Sequence, residues 1–426
     1  MPHAPAPRTI IFDDGRGQLG PMTDLRAAFE VRTGMFTTAE RIQAARPKML
    51  AGYWVPTPLR AVVAERANAP VNELPASEEV VLCLNGRWAM PDGTLQLEAN
   101  HAIQEEATGH IVAACLRRAD AAYFLETGQL HERARIKTLH KRVLYKYPWD
   151  VLAFMKETVP HDILSERLVD ARVASPDMTV VGRHPVELHR TASVGPHVVF
   201  DASQGPIFVH EDAQLRPGCV ICGPASIGRG STVVDRALIK AYTVIGPVCK
   251  VGGEVGGTIF QGYANKGHEG HLGDSWVGEW VNLGAGTTNS NLLNTYGEVS
   301  MRTESDGPRH RTGLVFVGAV IGDHVKTAIG TRIMTGTVLG TGSMIASTAP
   351  PPASVRRFAW RTDEGERLYR VEKFRDAMRT MMSRRDRTPT PAQIELMESL
   401  HASSSGATSP PHPRGAEGLP TSVRAD

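Results

Sequence analysis

From Val209 onward, apolar residues return at every sixth position: Val209, Leu215, Ile221, Ile227, Val233, Ile239, Ile245 and Val251. A helix repeats near 3.6 and a simple strand at 2, so neither period alone produces a strict six. Six is the period of a parallel β-helix, in which a corner follows each short strand and one residue per hexad points inward. Small residues follow many anchors, as in Ile227-Gly228, Ile245-Gly246 and Leu339-Gly340, and glycine tolerates the close backbone approach of corners. The register lapses between Gly257 and Gly270, resumes at Val277 and Leu283, breaks at a polar insertion, and returns as Ile321, Thr327, Ile333, Leu339 and Ile345.

The 426 residues exceed one ordinary domain. Period, patterning and composition divide them into an α/β domain over 1–160, a linking helix within 161–190, a parallel β-helix over 191–350, short C-terminal helices over 351–402, and a Ser/Pro/Gly-rich disordered tail over 403–426. A net charge of +2 with no basic run interleaved with aromatics argues against nucleic acid. No apolar run reaches the roughly 20 residues of a membrane span, and no signal-peptide pattern opens the chain, so the cytoplasm is the expected location. Cys219 and Cys222 form a lone C-x-x-C inside the repeat register. They read as small coil-filling residues, with no metal expected.

In the first 160 residues, Arg8 to Phe12 reads as a buried strand running into Asp13, Asp14, Gly15, Arg16 and Gly17. A glycine turn after a strand can bring backbone N–H groups to phosphate. Val80 to Asn85 reads as a second strand, while 101–117 and 149–159 carry helical patterning. Strands alternating with helices predict a parallel sheet with ligands beyond its carboxyl ends.

The stretch FDDGRGQLGPMTDLRAAFEVRTGMFTTAER and the later YKYPWDVL, followed by hexads, resemble a divergent, shortened subgroup of the bacterial family that joins a sugar-1-phosphate nucleotidyltransferase to a glucosamine-1-phosphate N-acetyltransferase. The resemblance implies a nucleotide loop at Asp14, Gly15, Arg16 and Gly17. Arg26 falls nearest to the family's phosphate lysine, and Asn85 stands where the family has a metal-binding aspartate. Asparagine is a poor Mg²⁺ ligand, and the Thr-Arg pair of the family loop is missing. Mg²⁺ is thus expected only if this domain is active.

Inside the register lapse the resemblance is denser. Lys266-Gly267-His268 through Leu272-Gly273-Asp274, then Asn282-Leu283-Gly284-Ala285-Gly286-Thr287, match the family's acetyltransferase run. By resemblance His268 is the general base, a role an imidazole fills near neutral pH. Glu254, Lys240, Lys266, His271, Asn282 and Asn291 are the candidate sugar-phosphate ligands, and the backbone at Ala285, Gly286 and Thr287 would meet acetyl-CoA. Departures are His271 for a tyrosine, Leu292 for the tyrosine of an Asn-Tyr pair, and Gly256 for a lysine. The polar insertion 288–314 is expected to reach a neighbouring subunit, and the uncovered coil faces suggest a homotrimer. The expected function is acetyl transfer in UDP-N-acetylglucosamine-type nucleotide-sugar synthesis. The alternatives are an active nucleotidyltransferase with the β-helix as an assembly module, or a non-catalytic sugar-nucleotide-binding scaffold.

Overall fold

The computed structural model describes residues 7–166, 171–172 and 178–405. The N-terminal domain is built on six strands: β1 (Arg8–Phe12), β2 (Leu50–Trp54), β3 (Val80–Asn85), β4 (His101–Glu105), β5 (Ile111–Arg117) and β6 (Arg135–Leu139). They lie in the order β2-β1-β3-β5-β4-β6. The sheet is mixed rather than parallel: β5 runs antiparallel to both β3 and β4. The helical patterning of 101–117 is overturned at the same place. Val112 to Leu116 are all buried, and an apolar run in a central strand lacks the alternation that separates strand from helix. The helices are α1 (Thr38–Ala45), α2 (Arg60–Ala64), α3 (Arg118–Thr127) and α4 (Pro148–Ser165). The expected linking helix at 161–169 is the end of α4, and residues 167–169 lie outside the described residues.

The hexads fold as a left-handed parallel β-helix with three faces. Its first described rungs, Thr179–Gly182 and Val186–His189, pair in register with Val199–Ala202 and Ile207–Val209, so coil structure starts ahead of residue 191. Each anchor points inward: Leu215, Ile221, Ile227, Val233, Ile239 and Ile245 share one core. Cys219 belongs to that core as well, and burial pushes its thiol up to about 12. All five cysteines are free.

The register lapse is a shortened turn, not a loss of coil. Ile239 pairs with Val255 and Ile245 with Phe260, closer in sequence than the eighteen residues of three full hexads. Two corners have been cut, so the inward row continues as Val251, Val255, Phe260, Lys266 and Leu272. Three of the inward anchors are polar, Lys266, Asn289 and Thr327, and each is buried.

The three faces have different neighbours. The docked face turns Phe208, Val244, Ile259, Trp276, Val320 and Val338 outward, and they form one apolar cluster with Trp149, Leu152 and Met155 of α4. Polar contacts fix this seam: the Trp276 indole N–H donates to the Arg32 carbonyl (3.1 Å), and Gln261 exchanges hydrogen bonds with Arg32 and Glu30. A second face carries Thr232, Lys250, Asn265, Asn282 and Lys326 outward in a ladder. Its far end is covered by the C-terminal helices α5 (Val371–Ser383) and α6 (Pro391–Ser405), where Phe374, Met378, Met382 and Met397 pack with Phe358 and Trp280. The segment before α5 is a hairpin, Ala359–Thr362 with Gly365–Leu368, not helix. Residues 406–426, most of the expected disordered tail, lie outside the described residues. The third face, which bears Leu238, Glu254 and His271, is open. Among the described residues no helix is long and apolar enough to cross a membrane.

The polar insertion folds back on its own chain. It carries a small hairpin, Ser300–Met301 with His310–Arg311; Val299, Met301 and Val317 enter the docked-face cluster, and His310 lies 4.9 Å from the Tyr147 ring beside α4.

Candidate functional site

His268 sits on the corner that joins the helix-covered face to the open face. The corner holds Gly267, His268, Glu269 and Gly270, and only glycine fits the last position. Gly270 has φ +125°, and a Cβ there would stand 2.1 Å from the Thr287 carbonyl oxygen of the next coil. His268 is exposed and lines a polar groove of about 690 Å³ together with Arg216, Thr232, Lys250, Glu269 and Arg385. Arg385, two residues beyond α5, belongs to none of the sequence motifs above; the basic run Arg384-Arg385 is the local signal that marks it.

On the open side of the same edge lies a second group. The Lys240 ammonium donates to Glu254 Oε1 at 3.2 Å, and His271 Nδ1 lies 3.4 Å from the same oxygen. Lys240 holds the Glu254 carboxyl below its ordinary range. Asn291 donates to Asp274 Oδ2 at 2.6 Å, and a Cβ on Gly273 would meet both His271 Nε2 (2.7 Å) and Asn291 Nδ2 (2.8 Å). The missing lysine at Gly256 is accounted for here. The Lys240 side chain lies across Gly256, 3.1 Å from where its Cβ would be, and so reaches Glu254 from the neighbouring coil. Asn282 stands on the other side of the edge, accepting from Asn265 Nδ2 at 2.6 Å.

Two expected ligands are otherwise engaged. Lys266 is 2% exposed and points into the coil, where its ammonium donates to the carbonyls of Gly252 (2.9 Å) and His268 (2.8 Å). Burial drives its pKa down to about 8, and it cannot reach a sugar phosphate from there. The backbone near Ala285 is committed in part. Gly286 N–H donates to the Glu269 carbonyl (3.1 Å), Thr287 N–H to that of Gly284 (3.0 Å), and the Ala285 carbonyl accepts from Gly330 (2.7 Å). The Thr287 hydroxyl meets that of Thr327 inside the coil. An anchor that the sequence reading left out, Asn289, spans the coil interior and bonds the Gly273 N–H and carbonyl.

The N-terminal loop borders a cavity of about 430 Å³ lined by Asp13, Asp14, Gly15, Arg16, Trp54 and Phe124 among others. Its carboxylates face inward to the protein. Asp13 caps Ala28 N–H (2.7 Å) and Gly15 N–H (2.9 Å). Asp14 Oδ1 accepts from Arg16 N–H and Arg87 Nε, both at 3.0 Å, while Oδ2 accepts from Arg87 (2.5 Å) and Asn85 (3.0 Å). A carboxylate has about four acceptor positions, so Asp14 is saturated. Asn85 is fully buried; its amide also holds the Ile111 carbonyl and Arg87 N–H. These residues do not fit a Mg²⁺ site, which needs free oxygen ligands. Gly17 leaves room for Arg87, whose Cδ would be 2.8 Å from a Cβ there. Arg26 is displaced altogether. It is 2% exposed and pairs across the domain seam with Asp323 (3.0 Å) and Glu279 (3.3 Å) of the β-helix, so it is an interdomain tie and not a phosphate ligand.

Known proteins match parts of the chain. Residues 9–166 match the family model described as sugar nucleotidyl transferase. The chain is 33% identical over 144 residues to a bifunctional sugar-1-phosphate nucleotidylyltransferase/acetyltransferase of Sulfurisphaera tokodaii, covering 33% of this chain and 35% of that protein. It is 24% identical over 229 residues to the bifunctional protein GlmU of Trichormus variabilis, covering 48% of this chain and 49% of that one. The chain thus spans between a third and a half of the length of these relatives. Solved structures that align include a hexapeptide transferase family protein from Anaplasma phagocytophilum (TM-score 0.21, 13% identity, 55% of this chain and 100% of that one). Another is an Arabidopsis UDP-N-acetylglucosamine acyltransferase (TM-score 0.22, 14% identity, 48% and 77%).

Proposed function

We propose that this chain is an N-acetyltransferase acting on an amino-sugar phosphate of the glucosamine-1-phosphate type, with acetyl-CoA as donor. The observation that carries the reading is the edge itself. An exposed histidine stands between a polar groove that carries Arg216, Lys250 and Arg385 beside Asp235 and Glu269 on one face and a Lys240–Glu254–His271 chain on the other. The likeness to bifunctional nucleotidylyltransferase/acetyltransferases supports it. Arg216, Lys250 and Arg385 suit the phosphates of coenzyme A, since guanidinium and ammonium groups bind phosphate oxygens strongly. Glu254 and His271 offer acceptors to sugar hydroxyls, and Lys240 offers a cation to the sugar phosphate. In the reaction, the amine lone pair attacks the thioester carbonyl and His268 accepts the amine proton. The C–S bond then breaks, and the thiolate leaves and is protonated as free coenzyme A. The open face is the surface we assign to assembly as a trimer, with the cytoplasm as its setting.

The test incubates the purified protein with acetyl-CoA and glucosamine-1-phosphate and follows thiol release. A general base contributes roughly 10²–10⁴-fold, so His268→Ala should lose at least about 10²-fold of the rate with the fold intact. A parallel incubation with UTP, Mg²⁺ and N-acetylglucosamine-1-phosphate follows pyrophosphate. Pyrophosphate release without thiol release would overturn the reading in favour of nucleotidyl transfer, and silence in both arms would favour a scaffold.

A further inference from the structure

The cavity beside the Asp13–Arg16 loop remains well formed although its surroundings suit neither a metal ion nor a phosphate. Its carboxylate Asp14 already has a buried cation: the Arg87 guanidinium is 0% exposed, grips both Asp14 oxygens, and is itself held by the Tyr145 carbonyl (2.7 Å) and by His110 Nδ1 (3.0 Å). The N–H groups of Gly15 and Arg16, which an anion would need, turn instead to Asp13 and Asp14. What the cavity offers a ligand is acceptors and aromatic walls. The C-terminal end of α3 closes one side through Leu125, Glu126, Thr127 and Gly128. A helix carries partial negative charge there, and the exposed Glu126 adds a full one. The single basic residue on the lining, Arg16, already reaches for this end, its guanidinium 3.4 Å from the Gly128 carbonyl. Phe12, Trp54 and Phe124 supply ring surface, which attracts both the C–H face of a sugar and a nearby cation.

We propose that this cavity is a metal-independent binding site for an unphosphorylated amino sugar, with Arg87 standing in the place the family likeness gives to a divalent ion. Only the choice of an amino sugar rests on the function proposed above; the exclusion of metal and phosphate rests on the loop alone. The ligand's ammonium faces Glu126 and the α3 end, its ring lies against Trp54, and a phosphate substituent finds no free N–H on Gly15 or Arg16.

Calorimetry on the full chain tests this with glucosamine, glucosamine-1-phosphate and UTP, each in MgCl₂ and in EDTA. Glucosamine should bind one site, with affinity unchanged by EDTA and at least about tenfold tighter than either phosphate at this site. Glu126→Gln, a surface change that leaves the fold alone, and Trp54→Ala should each weaken it about tenfold or more. His268→Ala should leave it unchanged, which separates this cavity from the acetyl-transfer edge. Glucosamine binding that is absent, that needs Mg²⁺, or that vanishes in His268→Ala but survives in Glu126→Gln would overturn the proposal. Mg²⁺-strengthened UTP binding would overturn it too. Acetyl transfer failing while this binding persists would sink the edge reading and leave the cavity's exclusion of metal and phosphate standing.

Discussion

Lys266 shows how one residue can occupy a core position against its nature. Its neighbours in the inward row are Phe260 and Leu272, and its ammonium has two carbonyls but no carboxylate in hydrogen-bond reach. Burial lowers its pKa to about 8 from an ordinary 10.5. The unfolded chain therefore binds more protons than the folded one between those values, and stability rises with pH across that window. The buried thiols of Cys219 and Cys249, pushed up to about 12, act in the opposite sense at alkaline pH, so the lysine is best isolated by difference. The unfolding free energy of wild type minus that of Lys266→Met should grow by about 1–2 kcal/mol from pH 7 to 9.5, measured by urea titration. A difference independent of pH would show that the amine titrates normally. That Lys266 is an anchor was readable in principle, since it stands six residues after Phe260. It was obscured by the two cut corners before it, which no periodicity announces. Lys240 is the converse: only the geometry shows that it spans Gly256 to reach Glu254.

Among the elements, α4 does the most to join the molecule. Its Asp162 is fully buried and takes paired hydrogen bonds from Arg41 Nε and Nη2, both at 2.7 Å, and a third from Phe36 N–H at 3.0 Å. Removing one partner of a buried pair leaves an uncompensated charge, at a cost of roughly 3–5 kcal/mol. Arg41→Met should lower stability by about that much, and Arg41→Met with Asp162→Leu should recover most of it, as read from denaturation midpoints. Equal losses in the single and double variants would mean that packing, not charge, is at stake. The coil strands were the most legible elements, because one face of every hexad must be apolar. The β5 strand was the least, because its run Val112 to Leu116 is buried on both sides and carries no alternation to read. The stripe Phe374, Met378 and Met382 on α5 is legible from its four-residue spacing, and all three are buried. The contribution of Arg385 to the groove was not, since nothing local ties it to His268.

At the scale of the whole molecule, the seam between the domains was invisible to the sequence. Arg26 and Asp323 are separated by nearly three hundred positions, and nothing local in either marks it as the other's partner. The same separation explains why a phosphate role was assigned to Arg26: a lone basic residue after a glycine loop has no nearer claimant. The expectation of bare coil faces fails for the same reason. Outward apolar residues such as Phe208 and Trp276 look like an assembly surface until α4 is seen to cover them. What remains open for a second copy is the face carrying Leu238, Glu254 and His271.

The docked face also sets an order of events during synthesis. Trp149, Leu152 and Met155 are translated well before the rungs that cover them, the last of which bears Val338. At roughly 5–20 residues per second, the N-terminal domain waits on the order of ten seconds or more with an apolar flank facing water. Expressed alone, residues 7–166 should therefore aggregate, or stay soluble only when the residues 178–405 are supplied in trans; a soluble, monomeric fragment by sizing chromatography would refute this. The β-helix is thus the surface on which the earlier half of the chain completes its fold.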